Sequence, residues 1–214
     1  MNVFFLGAKN PETIRMISAI SKQNPHFSVS GFLDNDPLKK DSDFYGYRVF
    51  GGVDLVPELA RDDTYFVNLI TGDTRVRHET TKQILAAGGR LTNFIHPSVD
   101  LFMVKVGVGV YLQDSVITQA GAEIGDNCSI HIGALLAHES KLGKSVFVAH
   151  AVSISGCCTV GEGTFIGTNA TILPRINIGK WCTIGAGSVV TKDVPDYSVV
   201  VGNPAKVIRT IEPF

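Results

Sequence analysis

Histidines are the side chains of this chain that exchange a proton close to neutral pH, and three of its six lie within twenty residues of one another. His138 is followed directly by Glu139, a carboxylate that can orient an imidazole ring or stabilise its charge. His131 precedes this pair and His150 follows it. The segment around His138 is therefore the first candidate for acid–base chemistry.

The remaining composition excludes several kinds of site. The four cysteines, Cys128, Cys157, Cys158 and Cys182, lack a paired C-x-x-C spacing, so neither a zinc knuckle nor a disulfide framework is indicated. A formal net charge of -1 favours no nucleic acid partner. The sequence contains no signal peptide and no apolar stretch of about 18 residues, which predicts a cytoplasmic protein without a membrane span.

A six-residue period runs through the second half of the chain. Stepping by six from Val106 to Val190, fourteen of fifteen positions are aliphatic, and the residue two places before each is small or β-branched. Alternation within a hexad indicates short strands with two inward side chains, joined by turns. Three such strands make one triangular coil of eighteen residues, which predicts a parallel β-helix from about residue 104 to about residue 191.

Five glycines follow the aliphatic position at the eighteen-residue spacing: Gly107, Gly125, Gly143, Gly161 and Gly179. Glycine suits corners that need an unusual backbone conformation or a close backbone approach, so these residues should form a column along one edge. The interior of such a prism is narrow, which favours Cys128, Cys158 and Cys182 as inward wall residues. Cys157 points the other way, and its role stays open.

Residues 1–96 show strands alternating with helices. The predicted strands are NVFFLG, FSVSGFLD, YFVNLI and LTNFI, and the predicted helices begin at Asn10-Pro11-Glu12 and lie near residues 53–60 and 75–87. This order predicts a small parallel, Rossmann-like sheet whose carboxyl edge is the usual ligand crevice. We therefore divide the chain into an α/β domain at residues 1–96 and an all-β domain, formed by the β-helix and a C-terminal cap, at residues 97–214.

An α/β domain followed by hexapeptide repeats resembles the bacterial nucleotide-sugar acetyltransferases of the hexapeptide-repeat superfamily. These include the UDP-4-amino-sugar and GDP-perosamine N-acetyltransferases and the sialic acid O-acetyltransferases. The resemblance covers nearly the whole chain and includes T-K-D-V-P at residues 191–195 and G-N-P-A-K at residues 202–206. It implies a left-handed β-helix, acetyl-CoA as donor, direct transfer to a nucleotide-linked amino sugar in glycan biosynthesis, and a homotrimer with active sites between subunits.

The resemblance assigns roles to the histidines. His138, in LLAHES, matches the family's V-x-H-[ED]-C segment and is the general base, with Glu139 as its assistant. His131 takes a position that is often an asparagine contacting the sugar, so His131 is a candidate for acceptor specificity. A second family histidine falls on Phe147 here, and His150 is expected to be structural.

The resemblance also assigns the two ligands. Coenzyme A lies in a groove between neighbouring β-helices, where Gly156 and Ala186 match cofactor contacts and the Gly156 amide is an oxyanion donor. Lys192 and Lys206 are candidates for the cofactor phosphates. The nucleotide base is expected at Asp34 and Asp36, which follow the second predicted strand.

The first turn departs from the family pattern. A glycine-rich loop commonly holds the diphosphate, whereas this chain has Gly7-Ala8-Lys9-Asn10-Pro11-Glu12, with one glycine, a proline that lacks an amide hydrogen, and an acid. Gly7 and Lys9, together with the helix N-terminus, are the candidate phosphate contacts. The identity of the acceptor is accordingly the most open part of the prediction.

Two alternative functions remain at this point: sugar O-acetylation of the sialic acid type, and nucleotide-sugar binding without catalysis. The three histidines also resemble the ligands of the zinc-dependent carbonic anhydrases that share this fold. Eighteen-residue coils place His131 and His150 near one edge and His138 near the next, so their imidazoles do not converge within one chain. We therefore expect no metal cofactor.

Overall fold

The computed structural model describes residues 1–213, which form two compact units that meet in sequence between Pro97 and Ser98. The first unit is built on a three-stranded parallel sheet with strand order β2-β1-β5. Its elements are β1 (Asn2–Leu6), α1 (Glu12–Gln23), β2 (Ser28–Leu33), β3 (Asp43–Phe44), β4 (Tyr47–Arg48), α2 (Val56–Leu59), β5 (Thr64–Asn68), α3 (Thr74–Ala86) and β6 (Phe94–Ile95), with short 3₁₀ helices at Pro37–Lys39 and Val53–Leu55.

Strand β1 is central because its four residues 3–6 are apolar and buried, as a strand covered on both faces requires. Phe4, Leu6, Leu33 and Phe66 form the core of the unit. The predicted α/β class and its parallel sheet are confirmed. None of the helices within residues 1–213 is long and apolar enough to cross a membrane.

Two details of the first unit differ from the prediction. The hairpin of β3 and β4 was not anticipated, because each strand has only two residues and no periodic pattern can be read over that length. The predicted strand LTNFI is reduced to β6, and Leu91 forms only an isolated bridge with Phe66. The polar pair Thr92 and Asn93 interrupts the apolar run that a buried parallel strand needs.

The second unit is a left-handed parallel β-helix of about six turns. Three sheets make its faces. Sheet A contains β8 (Tyr111–Leu112), β11 (Ser129–Ile130), β14 (Phe147–Val148), β17 (Phe165–Ile166), β20 (Thr183–Ile184) and β22 (Ser198–Gly202); sheet B contains β9 (Ile117–Thr118), β12 (Leu135–Leu136), β15 (Ser153–Ile154), β18 (Thr171–Ile172) and β21 (Val189–Val190); sheet C contains β7 (Lys105–Val106), β10 (Glu123–Ile124), β13 (Lys141–Leu142), β16 (Thr159–Val160) and β19 (Asn177–Ile178). Strand β23 (Ala205–Thr210) closes the end by pairing antiparallel with β22.

The turns between sheets form three edges, named here by the sheets they join. The A–B edge has its turns at residues 113–116 and every eighteen residues thereafter, and the B–C edge at residues 119–122, 137–140, 155–158, 173–176 and 191–194. The register is constant along the stack, so residues eighteen apart are neighbours on successive coils. Leu136, for example, pairs with Ile154. The hexad prediction of the strands is confirmed.

The interior of the β-helix is filled by the residues that the repeat predicted to point inward. The aliphatic positions from Leu112 to Val190 are buried, among them Ile130 and Ile154, whereas Val106 on the first coil is only partly buried. Cys128, Cys158 and Cys182 are also buried wall residues. Burial raises the pKa of the Cys158 and Cys182 thiols, which keeps them protonated and unreactive at neutral pH.

The glycine column serves close backbone approach and not an unusual backbone conformation. A β-carbon on Gly125 would lie 2.7 Å from the carbonyl carbon of Gly143 on the next coil, and its other two nearest atoms are backbone oxygens at 2.8 Å. The left-handed backbone occurs instead two residues later in each turn, at Asn127 and Ser145 for example. Of the two reasons proposed for these glycines, the tight stacking of coils is the correct one.

We predict that Gly125→Ala destabilises the β-helix, because the added methyl group meets backbone that cannot move without shifting a whole coil. The expected cost is about 1–3 kcal/mol, the range for overpacking a close-packed interior. Thermal unfolding followed by β-sheet circular dichroism measures it. Gly72→Ala is the matched control, since its β-carbon would meet nothing within 4 Å. Equal Tm values for the two variants would contradict the close-approach explanation.

Candidate active site

His138 and Glu139 lie together in a turn of the B–C edge. The His138 amide donates to Gln119 Oε1 of the preceding coil at 3.0 Å, and the Glu139 amide donates to the Ala120 carbonyl at 3.1 Å. Glu139 has a left-handed backbone, with φ of 57°. This turns its carboxylate back toward the ring, so Glu139 Oε2 lies 3.4 Å from His138 Nδ1, whereas adjacent residues on a straight strand point apart.

Gly156 lies on the next coil under the His138 ring. A β-carbon on Gly156 would overlap the ring atoms, with 2.6 Å to Cε1 and a still closer approach to Nε2. The Gly156 amide donates no hydrogen bond within residues 1–213. The amide of His138, which occupies the same turn position one coil earlier, donates to the Gln119 side chain. Ala137 takes the place of Gln119 one coil later and has no side-chain acceptor for the Gly156 amide. The residue that contacts the His138 ring therefore carries an uncommitted N–H.

Cys157 completes this cluster and was not assigned by sequence reasoning. Its thiol lies 3.5 Å from Glu139 Oε2, and its amide donates to the His138 carbonyl at 2.9 Å. The available signal was the spacing, because Cys157 follows Glu139 by one full coil and must lie beside it on the B–C edge. The cluster is exposed, with side-chain exposures of 59% for His138 and 69% for Glu139.

The A–B edge carries the other two histidines and Ala186. The rings of His131 and His150 lie 5.0 Å apart, as the coil length predicted. His131 is buried, with Nε2 3.0 Å from Ser129 Oγ and its ring against Phe147. Ala186 is exposed on this edge, and therefore does not share an edge with His138 in one chain.

The two lysines of the C-terminal signatures are exposed. Lys192 lies on the B–C edge two coils beyond Gly156, and Lys206 lies in β23 opposite Val201. Asp193, the neighbour of Lys192, accepts hydrogen bonds from the amide and side chain of Asn177, which lower the pKa of its carboxyl group. The T-K-D-V-P motif therefore caps the last coil in addition to presenting Lys192.

In the first unit, the Asp34 side chain links the carboxyl ends of β1 and β2 by hydrogen bonds. Its Oδ2 accepts from the Ala8 amide at 3.0 Å and from Lys39 Nζ at 2.7 Å. Burial alone would raise the pKa of Asp34, but the hydrogen bonds from Lys39 and from the Asp36 and Ala8 amides outweigh it and hold the pKa below its ordinary value of 3.8. Lys39 was not among the predicted site residues, but its ammonium group contacts the first turn at the Ala8 carbonyl. The side chain of Lys9, which was predicted, is exposed.

Most amides of the first turn are already committed inside the protein. The Gly7 amide donates to the Leu33 carbonyl, and the Ala8 amide to Asp34. The Glu12 amide donates to Asn10 Oδ1. The turn therefore does not form the cradle of free amides that a glycine-rich phosphate loop provides, which is consistent with its unusual sequence. Its acid is paired as well, because Glu12 Oε2 lies 3.2 Å from Arg15 Nη1.

A cleft of about 380 Å³ lies beside Asp34 in the first unit. It is lined in part by Asp34, Asn35, Lys40, Gly52 and Asp54. Asp36 instead accepts from the Leu38 amide and caps the short helix that begins at Pro37. Of the predicted acidic pair, only Asp34 lines the cleft.

We predict that Asp34→Asn lowers Tm at neutral pH and that the difference from the unaltered protein disappears in acid. The folded-state pKa of Asp34 is depressed, so its contribution is present above the unfolded value of about 3.8 and is lost as the pH falls through the folded value. Thermal unfolding between about pH 2.5 and pH 7 measures this. A Tm difference that persists unchanged below the folded pKa would contradict the assignment.

Comparison with known proteins identifies the family. A family description, "Bacterial transferase hexapeptide (six repeats)", matches residues 157–192. A variant of the perosamine N-acetyltransferase of Caulobacter crescentus, solved in complex with CoA and GDP-perosamine, is 30% identical to this chain with a TM-score of 0.85, over 97% of this chain and 96% of that chain. The chain belongs to the hexapeptide-repeat nucleotide-sugar acetyltransferase family.

Two further relatives show how far the likeness to this family extends. The acetyltransferase domain of PglB from Neisseria gonorrhoeae FA1090, in complex with acetyl coenzyme A, is 25% identical with a TM-score of 0.84, over 97% of this chain and 98% of that chain. Serine acetyltransferase 2 of Arabidopsis thaliana is 40% identical over 88 residues, 37% of this chain. The chain spans only 27% of the length of that curated relative.

Proposed function

We propose that this protein is an acetyl-CoA-dependent N-acetyltransferase that acts on a nucleotide-linked amino sugar in glycan biosynthesis. The observation that carries the proposal is the contact between the His138 ring and Gly156, with Glu139 at the opposite side of the ring. It supplies the two groups that acyl transfer from a thioester requires, a base for the amine proton and a donor for the oxyanion. The CoA and GDP-perosamine in the Caulobacter crescentus structure support the choice of ligands.

The position of Glu139 supports different roles for the two ring nitrogens of His138. A neutral imidazole carries one hydrogen, and the carboxylate beside Nδ1 favours the hydrogen there. Nε2, which lies over Gly156, then carries the lone pair that accepts the proton. The sugar amine attacks the thioester carbonyl while Nε2 takes its proton, the Gly156 amide hydrogen-bonds the oxyanion, and the C–S bond breaks. The proton passes from His138 to the departing CoA sulfur, with no covalent enzyme intermediate.

The two edges of the β-helix suggest how the cofactor groove is assembled. Gly156 lies on the B–C edge and Ala186 on the A–B edge, so one chain does not present both to one groove. In a homotrimer, the B–C edge of one subunit and the A–B edge of its neighbour can line the same groove. We therefore propose that acetyl-CoA binds between subunits, with Lys192 and Lys206 near its phosphates.

The nucleotide is proposed to bind the first unit at the cleft lined by Asp34. Because the Gly7 and Ala8 amides are committed, the diphosphate is expected to meet cationic side chains instead: Lys40 lines the cleft, and Lys9 is exposed in the first turn. Asp34 is proposed to act there chiefly by holding the turn and the Lys39 ammonium in place. His131 stays a candidate for acceptor specificity, although its burial limits it to an indirect effect in this conformation.

We predict that His138→Ala reduces acetyl transfer by about 10²–10⁴-fold, the usual contribution of a positioned general base. The side chain is exposed, so the Tm should stay unchanged. Thiol release from acetyl-CoA, measured with a panel of UDP-, GDP- and dTDP-linked amino sugars and free sialic acids, gives the rate. Turnover with sialic acids alone would mean that the protein is a sugar O-acetyltransferase and not an N-acetyltransferase. Binding of a nucleotide sugar without any thiol release would exclude catalysis.

We also predict that Gly156→Ala lowers kcat by about 100-fold with the fold intact, since a displacement of the base by about 1 Å has costs of that order. The three atoms nearest to the added methyl group all belong to the His138 ring, which can swing toward solvent. Gly72→Ala is again the control, because it makes the same chemical change in open space. A fully active Gly156→Ala enzyme would show that the observed ring position is not the reactive one.

A further inference from the structure

Three side chains of different chemistry converge at the turn that carries His138. An imidazole nitrogen of His138, a carboxylate oxygen of Glu139 and the thiol of Cys157 all lie within 4.8 Å of one another. Glu139 Oε2 is the shared neighbour, 3.4 Å from His138 Nδ1 and 3.5 Å from Cys157 Sγ. This group is distinct from the three-histidine set considered from the sequence, because His131 and His150 take no part in it.

Two of the three separations match those of ligands around one tetrahedral zinc ion. Zinc binds imidazole nitrogen at about 2.0–2.1 Å, carboxylate oxygen at about 2.0–2.2 Å and thiolate sulfur at about 2.3 Å. Tetrahedral angles then place the ligand atoms about 3.3–3.7 Å apart. The two distances to Glu139 Oε2 already fall in this range, so the carboxylate and its neighbours need little movement to enclose an ion.

The backbone holds two of these ligands in place. Glu139 and Cys157 occupy the same turn position on successive coils, with φ of 57° and 60°, and so project toward the same side. Their amides are fixed by hydrogen bonds to the carbonyls of Ala120 and His138 on the preceding coils. Exposure of His138 and Glu139 leaves an entry path for an ion and a fourth position for water. A thiolate with an imidazole favours zinc over magnesium or calcium.

We propose that His138, Glu139 and Cys157 form a Zn²⁺ site that reversibly inhibits the enzyme. Binding forms Zn–N, Zn–O and Zn–S bonds, and the proton of the Cys157 thiol passes to the buffer without any redox change. When Nδ1 of the neutral ring donates its lone pair to zinc, the ring hydrogen moves to Nε2. Nε2 then has no lone pair with which to accept the amine proton. The inhibition, but not the binding, rests on the proposed function.

Cobalt substitution tests the site directly. Co²⁺ is titrated into the full-length protein with its thiols reduced, and the near-ultraviolet charge-transfer absorption of a thiolate–Co²⁺ bond is recorded; competition with a chromophoric chelator gives the Zn²⁺ affinity. We expect one ion per chain, displacement of Co²⁺ by Zn²⁺, and loss of the thiolate band in Cys157→Ser. Affinity should fall by about 100-fold or more, since even outer-shell partners contribute about 10–100-fold.

Cys158→Ser is the matched control, because that thiol is adjacent in sequence but buried inside the coil. Serine is tolerated there, since Ser140 occupies the same inward position one coil earlier and is buried. The Cys158→Ser protein should keep the thiolate band and the Zn²⁺ affinity. Absence of a thiolate band in the unaltered protein, or its persistence in Cys157→Ser, would overturn the proposal.

Activity assays separate this proposal from the proposed function. Micromolar Zn²⁺ should suppress thiol release from acetyl-CoA, a chelator should restore it, and the Zn²⁺ concentration for half-inhibition should rise at least about tenfold in Cys157→Ser relative to Cys158→Ser. An inactive protein that still shows the thiolate–Co²⁺ band would refute the acetyltransferase and not the metal site. An active enzyme without that band would refute the metal site alone.

Discussion

The fixed eighteen-residue register between coils is the constraint on which the β-helix and its active edge depend. Backbone amides of each coil donate to carbonyls of the next, as Glu123 donates to Ser140 and Lys141 to Cys158. A slip of one residue would turn every inward side chain to solvent. The coils approach closely enough for these bonds only because small residues fill the narrow interior and glycines such as Gly125 occupy one edge. The ladder hydrogen bonds and the packing therefore enforce one another.

The same register builds the active edge without a dedicated scaffold. Strand amides and most turn amides donate to backbone carbonyls, whereas the amide at the second position of a B–C turn, as at His138 and Gly156, is available unless a side chain on the preceding coil accepts it. Gln119 caps His138, and Ala137 leaves Gly156 uncapped. One stack thus presents the proposed base, held by a fixed amide, above a residue whose amide has no internal partner. The same eighteen-residue spacing places Glu139 above Cys157, which builds the proposed zinc site.

Periodicity predicted the β-helix well because one rule repeats fifteen times, from Val106 to Val190, and chance agreement at each step is averaged away. Non-repeating contacts offered no such redundancy. The approach of Lys39 to Asp34, the commitment of the Gly7 amide and the hairpin of β3 and β4 depend on distances between loops, which spacing does not encode. Cys157 was within reach of the repeat, since its position one coil after Glu139 follows from the coil length.

We propose that acetyl transfer takes place where the His138 ring lies over Gly156, and a crystal structure with CoA and a nucleotide-linked amino sugar bound together decides whether it does. We expect the sugar amine within about 2.6–3.2 Å of His138 Nε2. We also expect the CoA sulfur beside the Gly156 amide, in a groove shared by two subunits. An amine bound away from His138, at the A–B edge of the same chain for example, would rule out His138 as the base.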